Sequence, residues 1–329
     1  MGWFNYFRVY SALVKELRLQ KKFNRRFLIP YLNELEKKYD GKFTGEQRHK
    51  ILSYYGLFIT AFLCSSYKRL QGGELSEEER KRATLFGILT PVGDDLFDID
   101  QLDHSQIEAI TFDPENYCAS TFLSRIAKEI QSYLIASVPD KQAYLLASKN
   151  VLEIQKATVK QTIRSTPKAE IEKITYDKGG YSVIIYREIL EPAADNQLLD
   201  ALYYVGSLYQ LGNDLFDLYK DTRDEIYTLI NTCDDFVELR SAFLQRVAVQ
   251  NEKIRSLPFD ETRKKEFLIM INTINARSLV ALDQFCRQQQ TNMQPTDWFK
   301  AKREEMIVDM EKPSNFFNWL KYIGKLNKI

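Results

Sequence analysis

Large apolar residues recur every three or four positions along most of the chain, which is the spacing of one face of an α-helix. Tyr54, Phe58 and Phe62, for example, stand four residues apart, and Gly72-Gly73 follows as a stop signal. Convincing runs of alternating apolar and polar residues, the pattern of a half-buried strand, are absent from the sequence. The pattern therefore predicts an all-α protein.

Capping and breaking residues mark the ends of the predicted helices. Ser76 followed by Glu79 is a capping box, which predicts the start of a helix there. Prolines stand mostly at the seams between helices. We predict further helices at roughly 119–136, 141–164, 181–191, 196–220, 234–255, 260–290 and 296–311.

No glycine-rich linker or low-complexity tract separates one part of the chain from another. We therefore predict a single all-α domain, residues 1–329, in which long helices surround a central cavity. The N-terminal segment 1–45 and the C-terminal segment 312–329 are expected to form peripheral or lid-like helices.

Composition narrows the classes of function. The net charge of +1 over 329 residues gives no reason to expect nucleic acid as a partner. Four scattered cysteines without a CxxC pair are typical of reduced core residues in an intracellular protein. The chain shows no signal-peptide pattern, and its longest apolar run is too short to cross a bilayer. We expect a cytoplasmic protein.

Residues 315–325 are basic and amphipathic, which is compatible with peripheral contact with a membrane surface. A lid, or a last helix docked on the body of the protein, is the simpler interpretation. The sequence does not give the oligomeric state, and a homodimer stays open.

An acidic cluster, Asp94-Asp95-x-x-Asp98, stands inside an apolar helical stretch. Asp94 and Asp98 are four residues apart and so lie one turn apart on one helical face. Their carboxylates repel, and no lysine or arginine occurs between Val92 and Glu108 to offset them. A multivalent cation that prefers hard oxygen ligands, such as Mg²⁺, would resolve this conflict.

A second cluster begins at Asn213-Asp214, where Asn213, Asp217 and Asp221 repeat the four-residue step over two turns. Surface helices often carry acidic runs, and one such cluster alone has little specificity. Two clusters embedded in apolar helices favour a functional site over a solvated stripe.

Together, the clusters resemble the two metal-binding motifs of class I isoprenoid synthases, a superfamily of terpene cyclases, squalene/phytoene synthases and trans-prenyltransferases. The first cluster matches the family's DDxxD motif. The second matches the Asn-x-x-x-Asp-x-x-x-Asp form of squalene and phytoene synthases. The resemblance covers most of residues 45–300 and implies the family's fold, a helical bundle around a central cavity.

The resemblance implies an enzyme that ionises geranyl, farnesyl or geranylgeranyl diphosphate with Mg²⁺. In the family, the motifs face each other across the cavity and hold three Mg²⁺ ions that clamp the allylic diphosphate. Prenyl coupling, a transferase reaction, or cyclisation, a lyase reaction, would follow. By this match the metal ligands would be Asp94, Asp98, Asn213, Asp217 and Asp221, with Asp95 as an auxiliary acid.

A carbocation requires an apolar, water-free chamber with aromatic faces. The faces that run down from the acids offer candidate lining residues, although most such aromatics are ordinary core. Glycine inside a helix is explained either by close helix contact or by room for an isoprenoid chain. The candidates are Phe58, Phe86, Gly87, Thr90, Gly206 and Tyr209.

The segment Asp177-Lys178-Gly179-Gly180 precedes the second motif. Its adjacent glycines predict a helix break, which family members have near this point, and an ordinary turn between helices is an equal alternative. Lys178 would then contact the diphosphate. Further candidate partners of the anion are Arg164, Arg187, Lys220 and Arg223.

Departures from the family leave other interpretations open. The Arg-Tyr pair of many bacterial cyclases and the basic pocket of chain-elongating prenyltransferases are not evident. A di-iron bundle needs two Glu-x-x-His motifs, and only Glu46-Gln47-Arg48-His49 is found. The main alternative is a catalytically inactive helical protein that binds a prenyl lipid or a protein partner.

Overall fold

The computed structural model describes residues 3–292 and 297–329, without the side chains of Trp3, Phe4, Asp98 and Asn292. Every regular element within these residues is helical, and no β-strand occurs among them. The predicted all-α class is confirmed. No helix in the described part of the chain is both long and apolar enough to cross a membrane.

The helices are described in chain order. They are α1 (Trp3–Phe23), α2 (Ile29–Lys38), α3 (Gly45–His49), α4 (Ser65–Gln71), α5 (Glu77–Asp98), α6 (His104–Phe112), α7 (Phe122–Ser137), α8 (Lys141–Ala157), α9 (Lys168–Glu188), α10 (Asn196–Arg223), α11 (Phe236–Ser256), α12 (Glu261–Asn292), α13 (Arg303–Met306) and α14 (Pro313–Leu326). Asn24–Leu28 and Lys50–Cys64 are π-helical, and Thr158–Thr162 is a 3₁₀-helix.

The chain forms two compact units. The first comprises Met1–Leu152 and Ile185–Ala194, and the second comprises Glu153–Ile184 and Asp195–Ile329. The first acidic motif therefore belongs to the first unit, on α5. The second acidic motif belongs to the second unit, on α10.

In the first unit, α5 packs against the π-helical segment Lys50–Cys64 and against α7. The contact is close at Gly87, where a Cβ atom would lie 3.1 Å from the carbonyl carbon of Tyr55 and 3.2 Å from the nitrogen of Gly56. Backbone therefore faces backbone at this crossing. Of the two explanations for Gly87, helix contact is the one that the structure supports.

Helix α9, most of which belongs to the second unit, runs without interruption from Lys168 to Glu188. The predicted break at Gly179-Gly180, and the helix predicted to start at 181, are both wrong. A Cβ atom on Gly179 would lie 2.1 Å from the carbonyl oxygen of Gly206, and one on Gly180 would lie 2.3 Å from the ring of Tyr203. The glycines therefore serve the close crossing of α9 and α10 rather than a break.

The C-terminal helix α14 docks on α12 in the second unit. The indole Nε1 of Trp319 donates to the carbonyl of Thr273 at 2.8 Å, and the buried side chain of Asn272 donates to Asn327 Oδ1 at 3.1 Å. The docked helix was the simpler of the two interpretations of this segment. The long helix predicted at 296–311 is wrong, because only Arg303–Met306 is helical in its described part.

Candidate functional site

The first motif occupies the last turn of α5, where Asp98 ends the helix. The carbonyl of Asp95 accepts hydrogen bonds from the backbone nitrogens of Ile99 at 2.8 Å and Asp100 at 3.1 Å as the chain leaves the helix. The last turn contains no basic residue. Because a helix carries partial negative charge at its C-terminus, carboxylates there are disfavoured by the helix as well as by one another. A bound cation would relieve both repulsions.

The two described carboxylates of this motif differ in their surroundings. Asp94 is exposed, whereas Asp95 is half-buried and its Oδ2 accepts a hydrogen bond from Gln47 Nε2 at 2.8 Å. Gln47 is itself positioned by the capping box that it forms with Thr44 at the start of α3. Asp95 is therefore oriented by a neighbouring helix, as expected of an auxiliary acid. The side chain of Asp98 lies outside the description.

A base that the sequence reasoning missed lies near this motif. Lys50 forms an ion pair with Glu46 at 2.8 Å. The hydrogen bond from Lys50 to Glu46 within this ion pair, together with the charges of Asp95 and Asp94, raises the pKa of Lys50. The lysine belongs to another helical segment, so counting bases within the motif's own helix could not find it.

The second motif lies on successive turns of α10, which is continuous from Asn196 to Arg223. Asn213 Nδ2 donates to Asp217 Oδ2 at 3.0 Å, which leaves the amide oxygen of Asn213 available as a ligand. Asp221 follows one turn later and is half-buried. The predicted four-residue row is thus formed by one helix.

Burial and mutual repulsion make this row electrostatically costly. Burial, followed by the charges of Asp214 and Asp217, raises the pKa of Asp221 to about 7. Burial also raises the pKa of Asp214 to about 6, although Gln210 Nε2 donates to its Oδ1 at 2.8 Å and Thr175 Oγ1 donates to its Oδ2 at 3.3 Å. A divalent cation would favour the ionised carboxylates and reverse these shifts.

Lys178 on α9 lies beside the same acids. Its positive charge lowers the pKa of both Asp214 and Asp221, against the larger effect of burial. The close backbone contact between Gly179 and Gly206 holds α9 against α10 at this point. Close helix packing therefore places Lys178 next to the second motif without a break in α9.

Mg²⁺ binds to a set of oxygen ligands, most often carboxylates, waters and phosphate oxygens. Among the described side chains, to which that of Asp98 does not belong, no group of three or more His, Cys, Asp and Glu is arranged to hold a metal ion. The second motif supplies two carboxylates, from Asp217 and Asp221, and the amide oxygen of Asn213. An all-oxygen set of this kind fits Mg²⁺, which keeps several waters and takes its remaining oxygens from a phosphate.

The remaining candidate bases are distributed differently. Lys220 is exposed on α10, and its charge also lowers the pKa of Asp221 against the effect of burial. Arg223 is exposed and pairs with Asp224, with an Nε–Oδ1 distance of 2.7 Å. Arg164 is exposed in the turn that precedes α9. Of these three, Lys220 is the one whose charge acts on the acidic row.

Arg187 lies in a different environment from the other candidate bases. Its side chain is fully buried in the first unit, where Nη1 donates to the carbonyl of Leu190 at 2.9 Å and Nη2 donates to that of Pro192. The guanidinium therefore stabilises the chain as it leaves α9. These two contacts give the guanidinium a structural role, and its contact with a diphosphate stays a prediction.

The candidate apolar residues of the first unit are engaged in packing. Phe86 is buried, and its ring meets that of Tyr186 edge to face at a centroid distance of 4.7 Å. Thr90 Oγ1 donates to the carbonyl of Phe86 at 2.9 Å and lies 3.2 Å from the hydroxyl of Tyr186. The ring of Phe58 stacks on that of Phe62 at 5.1 Å. These contacts are those of a core.

In the second unit, Tyr209 is half-buried on α10, and Gly206 lies against α9. A Cβ atom on Gly206 would lie 2.1 Å from the carbonyl oxygen of Gly179. Of the two explanations for Gly206, helix contact is the one that the structure supports.

Two polar neighbours of the acids were not identified from the sequence, although each left a signal. Gln210 stands four residues before Asp214 on one helix, a spacing at which side chains meet. Thr44 followed by Gln47 is a capping box of the kind recognised at Ser76.

The chain was compared with models of known protein families and with curated protein sequences, and it matches none of them.

Proposed function

We propose that the protein is a Mg²⁺-dependent class I isoprenoid synthase that ionises an allylic isoprenoid diphosphate. One observation carries the proposal: Asn213, Asp217 and Asp221 form a row of oxygen ligands on α10, next to Lys178. The pKa of Asp221 in this row is raised to about 7 by burial and by its acidic neighbours. A fold that keeps this arrangement bears a cost that metal binding would offset.

Mg²⁺, when bound, supplies Lewis-acid stabilisation of the negative charge on the departing diphosphate. The chain's own residues do the rest. Asn213, Asp217 and Asp221 would hold metal at one motif, and Asp94 would do so at the other, with Asp95 oriented by Gln47. Lys178 offers a positive charge to phosphate oxygens beside the second motif. Coupling of two prenyl chains and cyclisation both begin with this ionisation, and both stay open.

Thermal unfolding with Mg²⁺ and inorganic diphosphate tests this binding. Mg²⁺ and diphosphate together should raise the unfolding temperature more than either alone, because the proposed site binds them as one complex. A ligand present at about 100 times its dissociation constant adds about 2.7 kcal/mol to the free energy of unfolding. The variant Asp217→Asn should lose the shift. The matched control Asp224→Asn, at an exposed residue outside the ligand row, should keep it. No shift for the native chain would refute the metal assignment.

A second candidate function is a non-catalytic helical protein that binds a prenyl lipid or a protein partner. Two features favour it: α9 is uninterrupted, and Gly206 is covered by α9. The resemblance to the isoprenoid synthases had implied a helix break in α9, and room for an isoprenoid chain was one of two explanations offered for Gly206. The candidates differ in one result, since a non-catalytic protein would release no diphosphate from geranyl, farnesyl or geranylgeranyl diphosphate under any Mg²⁺ concentration.

A further inference from the structure

Helix α1 leaves an apolar row uncovered on the first unit. Phe7 is 73% exposed, Val14 is 45% exposed and Leu19 is 39% exposed. The opposite side of the helix is buried, with Val9 and Phe23 in the core of the unit. The helix is thus anchored by one face and presents large apolar side chains on the other, an arrangement that marks an interaction surface.

Positive charge accompanies this apolar row. Arg18, Lys21, Lys22 and Arg25 are all exposed, within α1 and the π-helical turn that follows it. The single acidic residue of α1, Glu16, is buried and pairs with Arg80 at 3.0 Å. Lys15 on the same face pairs with the exposed Glu74 at 2.8 Å. The residues of α1 itself therefore contribute cations and no anion to the outward face.

A surface groove of about 580 Å³ runs along this face. Phe7, Tyr10 and Val14 line its apolar end, and the other end is largely basic, lined by Lys15, Arg18 and Lys22 with Leu19 among them. An amphiphile with an acyl chain and an anionic headgroup has this same division between apolar and charged parts. Basic helices with exposed aromatic and aliphatic residues bind in the interface of anionic bilayers for this reason.

We propose that α1 docks the protein on the surface of an anionic membrane. The apolar row enters the interface, and the bases on the same face pair with lipid phosphates. Charge decides between this occupant and a second copy of the chain, because two such basic faces would repel each other. The docking is peripheral, since one face of α1 is buried in the unit and the other meets the membrane surface. It does not depend on the proposed enzymatic function.

Vesicle flotation tests the proposal with two lipid compositions, phosphatidylcholine alone and phosphatidylcholine mixed with phosphatidylglycerol. The native chain should float with the anionic vesicles, less so as salt is added. The double variant Lys21→Gln/Lys22→Gln should bind them about 30-fold more weakly, at about 1 kcal/mol for each base. Phe7→Gln should weaken binding about tenfold through lost apolar burial.

Helix α8 of the same unit offers a matched control, because Leu146 is 62% exposed and Lys141 and Lys149 are exposed as well. Leu146→Gln and Lys141→Gln/Lys149→Gln should leave flotation unchanged. The proposal is overturned if the α1 variants float like the native chain or if the control variants lose as much binding as they do. It is also overturned if the native chain does not prefer anionic vesicles, or if sedimentation shows that α1 mediates only association between copies.

Discussion

Gly179 and Gly206 lie back to back where α9 crosses α10, so close that a Cβ atom on either would stand 2.1 Å from the carbonyl oxygen of the other. This crossing holds Lys178 beside Asp214 and Asp221 and lets Ser207 Oγ donate to the carbonyl of Tyr176 at 3.0 Å. The separation of the two helices, and with it the charge balance of the second motif, depends on having glycine, which has no side chain, at both positions.

Gly206→Ala should therefore destabilise the protein by about 3 kcal/mol, the upper end of the cost of overpacking. Gly324→Ala is the matched control, because Gly324 lies inside α14 of the same unit with no atom near its Cβ position. That variant should be neutral or up to about 1 kcal/mol more stable, as alanine favours helix. Chemical denaturation measures both. Equal stability of the two variants would mean that α9 and α10 do not cross this closely.

Arg187→Gln should lower the free energy of unfolding by about 3 kcal/mol, because it leaves the carbonyls of Leu190 and Pro192 without their donor. Arg223→Gln, at an exposed arginine, should change it by less than about 0.5 kcal/mol. Denaturation curves of the two variants make the comparison. A stable Arg187→Gln protein with weakened diphosphate binding would instead favour a role of Arg187 in substrate binding.

Asp214 makes stability depend on pH in a definite direction. Folding raises its pKa from 3.8 to about 6 through burial, so the folded state favours the neutral acid. Its contribution to stability is complete below about pH 4 and is lost as pH rises through about 6. In the absence of Mg²⁺, the free energy of unfolding of Asp214→Asn should therefore rise relative to that of the native chain as pH increases across this range. The relative increase should level off at about 3 kcal/mol above the pKa of the folded state.

Denaturation midpoints measured between pH 4 and pH 8 check this prediction. The exposed Asp224 pairs with Arg223, and that hydrogen bond lowers its pKa, so Asp224→Asn should show no such gain. A difference between Asp214→Asn and the native chain that stays constant with pH would contradict the burial of a charged group at this position.

The features that could be predicted from the sequence are those that depend on local spacing. The capping box at Ser76, the four-residue steps of the two motifs and the stop at Gly72 are written in contiguous residues. The missed helix α6 also has a capping box, from Asp103 to Gln106, and could have been found in the same way.

Features that depend on contacts between distant segments could not be predicted. Gly179 and Gly180 have the same local pattern in a helix break and in a tight helix crossing, and only the presence of α10 opposite them decides between the two. The long side chain of Arg187 gave no local sign that its guanidinium would be buried against carbonyls. The same holds for Gln47, whose bond to Asp95 joins helices far apart in the chain.

The reaction that we propose for the two motifs is ionisation of an allylic diphosphate. Incubation of the purified protein with geranyl, farnesyl and geranylgeranyl diphosphates tests it, with diphosphate release measured in the presence of Mg²⁺ and of a chelator. The proposed function predicts Mg²⁺-dependent release from at least one substrate without isopentenyl diphosphate, abolished by Asp94→Ala and by Asp217→Ala in folded variants. No release from any of the three, or full activity in either variant, would contradict it.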